Sequence, residues 1–327
     1  MIGIKDIARL AGVSPSTVSN ALNGRANIGE ETKKRVLEIC TANNYYPNMY
    51  GKNLRNLELN NIILFNFSDF DRSFYLKIIK GINDYAQAQG YDLIISTNKS
   101  CERFMNPGYT SGCIMLDRRM QSETLLSKAS MNYPIIALDR KINSPYIKSI
   151  LVNNYDSMYK MVEELVNRGY RKYAFLGGVE STEDNLERYQ AFKEALENHK
   201  IQFLQKNYIS GDYNEKSGTR AAKILMLSGQ LPDVLVCAND SMAIGAMKVF
   251  KENGIRVPED VAVTGFDDID IAASMGLTTI SVPNYERGYL AAQYLIESMR
   301  GEGKYENFEV PSKIIWRSSV RKRKINK

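Results

Sequence analysis

Residues 4 to 23 carry two short helical periods broken once, and that single break constrains the amino-terminal fold more than any other feature of the chain. In Ile4-Lys5-Asp6-Ile7-Ala8-Arg9-Leu10-Ala11, the apolar residues Ile4, Ile7, Ala8 and Ala11 recur at the spacing of one helix face. Gly12-Val13 interrupts the period and Ser14-Pro15 restarts it. A serine hydroxyl can accept from an orphan N–H of a first turn, and proline suits the first helical position, where no donor is needed. A second helix from Pro15 to about Asn23 would bury Val18 and Leu22, turn Ser16, Thr17, Ser19 and Asn20 outward, and stop at Gly24. Two short amphipathic helices joined by a tight glycine-containing turn make a helix-turn-helix. A third helix, Glu30 to Asn43, sets Glu30 and Glu31 near its positive end and points Val36, Leu37, Ile39 and Cys40 inward.

A plain three-helix bundle would satisfy that pattern too, but the outward face of the second helix is short, neutral and rich in hydrogen-bonding groups. Such a face can enter a major groove, where Asn and Ser side chains pair with base edges. The net charge of +6 favours a polyanionic partner mildly. The positive excess sits in the head and in the final Arg321-Lys322-Arg323-Lys324 run, which reads as a solvated tail, and the middle is slightly acidic. With 327 residues, 44% of them hydrophobic, the chain can build a head and a large or bipartite body. Cys40, Cys101, Cys113 and Cys237 show no metal spacing and no CxxC pair, so buried reduced thiols and a cytoplasmic setting are expected. No apolar run approaches the roughly 20 residues that span a bilayer, and no export signal opens the sequence.

From Asn61 onward, short apolar runs alternate with amphipathic stretches. Ile62–Phe65, Leu93–Ile95, Cys113–Leu116, Ile135–Leu138 and Ser149–Val152 read as buried parallel strands; Tyr173–Leu176, Val234–Cys237 and Val261–Thr264 repeat the pattern. Phe74–Gln89, Glu123–Met131 and Tyr155–Arg168 read as helices between them, the last ended by Gly169. The fold class is therefore α/β: an all-α helix-turn-helix head followed by two doubly wound, parallel-sheet lobes. Ligands in such sheets bind beyond the carboxyl ends of the strands. Phe74-Tyr75, Asp139-Arg140, Arg188, Asp212-Tyr213, Asn239-Asp240 and Asp267-Asp268 follow those ends in order. Each alone is a weak signal, because Asp, Asn and Gly turn chains and cap helices.

Taken together, Ile4-Lys5-Asp6-Ile7-Ala8, Ala11-Gly12-Val13-Ser14-Pro15-Ser16-Thr17-Val18-Ser19 and Leu22-Asn23-Gly24 resemble the head of the LacI/GalR family of bacterial transcription regulators. Tyr46-Pro47-Asn48 and Gly51-Lys52-Asn53-Leu54 resemble that family's hinge, and the likeness runs almost to the C-terminus. The resemblance implies a head over 1–48, a hinge over 49–59, and a periplasmic-binding-protein-like body of two lobes, 60–152 with 285–314 and 153–284 with 315–327. It implies DNA contacts by Ser14, Pro15, Ser16, Thr17, Ser19, Asn20 and Arg25, with Pro15, Ser16 and Asn20 reading bases. Lys52 and Arg55 would meet phosphates, while Leu54 wedges into the minor groove from a paired hinge helix. Residues 49–59 alone are too few for a stable helix. Gly51 and Lys52 stand where many relatives carry alanine and arginine.

In the body the resemblance implies a small effector, most simply a sugar, with Phe74, Tyr75 and Tyr213 as stacking faces. Asp139, Arg188, Asn239 and Asp267 would be its polar anchors. It further implies a homodimer on a pseudo-palindromic operator, with repression as the expected outcome, no cofactor and no membrane. One departure stands out: residues 96–111 are too few for a typical helix plus two loops, Asn106-Pro107-Gly108 favours a turn, and Ser111 replaces a common Asp. That shortening bears on whether the effector response is kept. A competing reading, an exported sugar receptor with the same two-lobed body, lacks a DNA head. Enzyme readings find little support: His199 is the lone histidine, in a polar stretch, Gly177-Gly178 lacks a nucleotide-loop pattern, and Asp267-Asp268 reads best as helix capping.

Overall fold

The three head helices form where the periodicity places them: Ile4–Ala11, Pro15–Leu22 and Glu30–Ala42. The structure is a computed structural model and describes residues 3–22, 28–43, 45, 61–68, 74–97, 100–117, 119–302 and 306–323. The chain divides after Leu59 into two compact units. In the head, Gly12 takes the left-handed conformation (φ 62°) and Val13 N–H returns to Ala8 O at 3.0 Å, which closes the first helix. Ser14 Oγ accepts from Thr17 N at 3.1 Å, the expected cap. Ile7, Ala8, Ala11, Val18, Ala21, Val36 and Cys40 form the core between the helices.

Two head expectations need correction. Leu22 is only partly buried while Ala21 is buried, and Leu37 is 41% exposed. The inward face of the third helix is set by the Val36–Cys40 pair one turn apart, and Leu37 lies about 100° round from it. Gly24, Arg25 and the hinge residues Lys52, Leu54 and Arg55 lie outside the described residues.

The body holds twelve strands among its described residues: β1 (Ile62–Phe67), β2 (Asp92–Thr97), β3 (Gly112–Leu116), β4 (Ile135–Leu138), β5 (Ile147–Val152), β6 (Tyr173–Leu176), β7 (Tyr208–Ile209), β8 (Val234–Cys237), β9 (Ala262–Asp267), β10 (Thr278–Ser281), β11 (Phe308–Val310) and β12 (Lys313–Ile315). They build two six-stranded sheets, ordered β11-β5-β4-β3-β1-β2 and β12-β10-β9-β8-β6-β7. All pairings are parallel except β10 with β12. Strands such as β3, β4, β6 and β8 are buried along their whole length, as helices on both faces require.

Leu93-Ile94-Ile95 departs from that expectation. β2 is an edge strand, and Ile95 is 43% exposed. Lys313 and Ile314, assigned above to the first lobe, instead pair with β10 in the second sheet, so the last crossing falls between β11 and β12. The short stretch after β2 does admit a helix, but one of five residues, Ser100–Phe104, followed by a turn in which Asn106 Oδ1 accepts from Gly108 N at 3.0 Å.

Two helix pairs lock by reciprocal glycines. A Cβ on Gly81 would lie 2.0 Å from Tyr285 O, and one on Gly288 would lie 2.1 Å from Ile78 O. Helices Tyr75–Ala88 and Asn284–Met299 therefore touch backbone to backbone. Gly218 and Gly245 do the same for Glu215–Leu227 and Asp240–Glu252 in the second sheet's layer. Arg321 and Arg323 of the basic C-terminal run are held by partners rather than free, while Lys322 is exposed. Arg323 N–H donates to Arg168 O at 2.9 Å, its guanidinium pairs with Asp233, and Arg321 pairs with Glu259 at 3.2 Å. All four cysteines are free and buried.

Candidate functional site

On the second head helix, Ser14, Pro15 and Ser16 are exposed, and Thr17, Ser19 and Asn20 are half-buried. Val18 and Ala21, which alternate with them at helical spacing, fill the head core. Ser14 Oγ also contacts Ser16 Oγ at 2.7 Å and Thr17 Oγ1 at 2.8 Å. The helix start is thereby a fixed cluster of hydroxyls, and a small neutral donor–acceptor face is presented to the surroundings.

In the body, a cavity of about 630 Å³ opens at the carboxyl ends of both sheets, lined among others by Phe74, Tyr75, Asp139 and Tyr213. A smaller recess of about 20 Å³ is lined by Phe74, Asp139, Arg188, Tyr213 and Asp267, together with Asn284 and Arg287. Six of the seven effector residues expected from the sequence therefore line these cavities. The seventh, Asn239, does not: it caps helix Asp240–Glu252, with Oδ1 accepting from Met242 N at 3.1 Å and Nδ2 donating to Tyr213 O at 2.9 Å. Its side chain holds the backbone of Tyr213 in place.

The geometry around the cavities is strained. Asp139, Tyr213, Asp267 and Asp268 have φ of 59°, 68°, 105° and 53°, four of the five positive-φ non-glycine residues among those described. Strain of this kind costs about 1–3 kcal/mol per residue and collects at ligand clamps. The two aspartates do not cap the following helix, contrary to expectation. Asp270–Ser274 has Ile269 as its N-cap without a side-chain cap, and Ile269 N–H goes to Asp240 Oδ2 at 2.9 Å. Asp268 instead pairs with Arg317 at 2.7 Å, and its carbonyl accepts from Lys77 Nζ at 3.1 Å, tying a helix of the first layer to a loop of the second.

Arg188 is pinned on three sides. Its Nε donates to Asn154 Oδ1 at 2.9 Å, its Nη1 donates to Ala238 O, and its guanidinium lies 3.6 Å from the centre of the Phe266 ring. Tyr213 donates its hydroxyl to Asp184 Oδ2 at 2.8 Å. Burial, then the neighbouring Asp267, pushes the Asp240 carboxyl well above the usual range, and burial lowers the Arg140 guanidinium. His199 is an exposed residue ending a helix, 4.0 Å from Glu163.

Asn284 and Arg287 line the recess but were not among the residues expected from the sequence. The signal was available: Pro283-Asn284 follows β10 as the other anchors follow their strands. Thr278-Thr279-Ile280-Ser281, however, is too polar and short to read as a strand.

The family model for bacterial regulatory proteins of the lacI family matches residues 3–48, and the model for a periplasmic binding protein-like domain matches 162–320. The probable HTH-type transcriptional repressor ExuR of Bacillus subtilis (strain 168) is 32% identical, over 98% of this chain and 99% of that protein. The HTH-type transcriptional repressor PurR of Aliivibrio fischeri (strain ATCC 700601 / ES114) is 30% identical, over 99% of both chains. Among solved structures, the lac repressor dimer bound to operator and the anti-inducer ONPF superposes with a TM-score of 0.76 at 25% identity, over 97% of this chain and 98% of that one. A transcriptional regulator CelR–cellobiose complex has the same fold, with a TM-score of 0.70 at 22% identity, over 98% of this chain and 100% of that one. Matched along its whole length in this way, the chain belongs to the LacI family of bacterial regulatory proteins, DNA-binding transcriptional regulators rather than enzymes.

Proposed function

We propose that this protein is a transcriptional repressor that reads a pseudo-palindromic operator as a homodimer and is controlled by a small polyhydroxylated effector, a sugar, in the cavity between the two sheets. The observation that carries the reading is the hydroxyl-and-amide face of helix Pro15–Leu22, exposed at Ser16 and half-buried at Thr17, Ser19 and Asn20, on a head followed in the same chain by a strained, aromatic-walled cavity. Pro15, Ser16 and Asn20 contact base edges; Ser14, Thr17, Ser19 and Arg25 fix the register on the backbone. Lys52 and Arg55 hold phosphates beside Leu54, which enters the minor groove. A two-fold protein meets two half-sites, hence the palindrome.

In the body, Phe74, Tyr75 and Tyr213 supply flat faces for a pyranose ring, and Asp139, Arg188 and Asp267 its polar contacts. Asn239 acts through Tyr213. The effector binds two arrangements of the sheets unequally and so shifts the population competent for operator binding. Fluorescence anisotropy on labelled inverted-repeat and scrambled duplexes tests this. A dimer that prefers the inverted repeat, with log K falling by about 0.9 per phosphate neutralised for each unit of log salt, supports it. A monomer without preference at moderate salt refutes it.

A further inference from the structure

Asn284 and Arg287 stand about one turn apart on helix Asn284–Met299 and are 2% and 1% exposed. Both polar atoms of the Asn284 side chain, and Nε and Nη2 of Arg287, are buried without a hydrogen-bond partner among the described residues. Arg287 Nη2 does form an ion pair with Asp139 Oδ1, but out of line for a hydrogen bond, and that oxygen too lacks one. A buried polar atom with neither a hydrogen bond nor an ion pair, as at both polar atoms of Asn284 and Nε of Arg287, costs about 1–3 kcal/mol. Ala291, Ala292, Leu295 and Ile296 also seat this helix, and Arg287 is itself among the largest fully buried side chains. Both side chains line the inner recess, whose volume of about 20 Å³ holds about one water molecule, or one carboxylate oxygen of a ligand seated in the adjoining larger cavity.

The two walls of the combined cavity also differ in charge. On the first sheet's side stand Arg119, Arg140, Lys141 and Arg287 against the single carboxylate of Asp139. On the second sheet's side stand Glu183, Asp184, Asp212 and Asp267 against Arg188. A neutral ring can hydrogen-bond to either wall but carries no charge to match the basic one. A ligand with a carboxylate at one end and hydroxyl donors at the other uses both walls, since charge-assisted hydrogen bonds are the stronger ones.

We infer that the effector is a sugar acid: Arg287 and Asn284 Nδ2 receive its carboxylate, Asn284 Oδ1 accepts from an adjacent hydroxyl, and the carboxylates of the second wall accept from the remaining hydroxyls. This rests on the reading of the cavity as the effector site. Isothermal titration calorimetry of the full chain with sodium D-glucuronate and sodium D-galacturonate, against D-glucose and D-galactose at matched ionic strength, tests it. At least one acid binds about tenfold or more tightly than its neutral parent. Asn284→Leu removes that preference while the ligand-free Tm holds or rises, because two unpaired polar atoms are gone. Arg287→Lys, which keeps the charge but loses the fork, weakens the acid selectively.

Neutral parents binding as tightly as the acids, no binding by any of the four, or an acid preference that survives Asn284→Leu overturns the assignment. A drop in ligand-free Tm with unchanged acid binding does the same, by showing that the pair holds only a structural water. Anisotropy on operator DNA keeps the two readings apart. Operator discrimination without acid binding removes the ligand class alone, and Asn284-dependent acid binding without operator discrimination removes the DNA reading alone.

Discussion

Replacing Gly178 with alanine perturbs the cavity wall in a way whose size follows from the structure. A Cβ there would sit 2.0 Å from Cζ of Tyr213 and 2.3 Å and 2.4 Å from its two Cε atoms. Ordinary carbon contacts lie at about 3.5–4.0 Å, so the ring must retreat by roughly 1.5 Å. Little allows that retreat: the side chain is 2% exposed, its hydroxyl is bound to Asp184, its carbonyl is bound to Asn239, and its φ is 68°.

Overpacking of this kind costs about 1–3 kcal/mol, and breaking the Asp184 bond adds about 1 kcal/mol. Stiffening of the unfolded chain by alanine opposes this by only about 0.4–1 kcal/mol. The net loss of roughly 2–3 kcal/mol lowers the Tm of the body by roughly 5–10 °C. Differential scanning calorimetry of the full chain reads it. In the double variant with Tyr213→Ala, the two losses fall short of their sum, since the clash has no ring to meet. A Tm within about 1 °C of the parent, or strictly additive losses, refutes the reasoning.

Other perturbations separate stability from recognition. Asn20→Ala, at a half-buried position outside the head core, should change head stability by less than about 0.5 kcal/mol. Anisotropy should show operator discrimination falling by about 1–3 kcal/mol. The buried Asp240 carboxyl is raised in the folded state, so the parent loses stability as pH climbs from the ordinary carboxylate range through that raised value. The Tm of Asp240→Asn relative to the parent should therefore increase between about pH 4 and about pH 8; a constant difference rejects this. Burial pushes Asp233 up, but Arg323 and the amides of Arg171 and Lys172 outweigh it and hold the carboxyl low. Arg323→Ala should cost about 0.5–1 kcal/mol at neutral pH, given solvent screening. Denaturant midpoints should show that loss shrinking as pH falls through the depressed Asp233 value.

Much of this architecture was legible because it is written in local chemistry. Ser14, Pro15 and Gly12 determine where the head helices start and stop through caps and backbone conformations that depend only on near neighbours. Runs such as Tyr173–Leu176 and Val234–Cys237 were found at their observed bounds, because a parallel strand covered on both faces must be apolar throughout. The strand-end rule then brought Phe74, Tyr75, Asp139, Arg188, Tyr213 and Asp267 to one cavity region.

What remained was decided by contacts between distant segments. Whether Asn239 faces a ligand or holds Tyr213 depends on a hydrogen bond spanning 26 residues, and no local pattern encodes it. Arg321 and Arg323 read as a free tail until Glu259, Asp233 and Arg168 arrive beside them. The glycine pair Gly81 and Gly288 looks like a propensity penalty within each helix, and only the crossing of the two backbones gives it a use. Asn284 and Arg287 carry no signal beyond their place after a strand too short and polar to recognise. Their unpaired atoms are visible only once burial has removed water, because a polar group signals a missing partner only where the fold has left it without one.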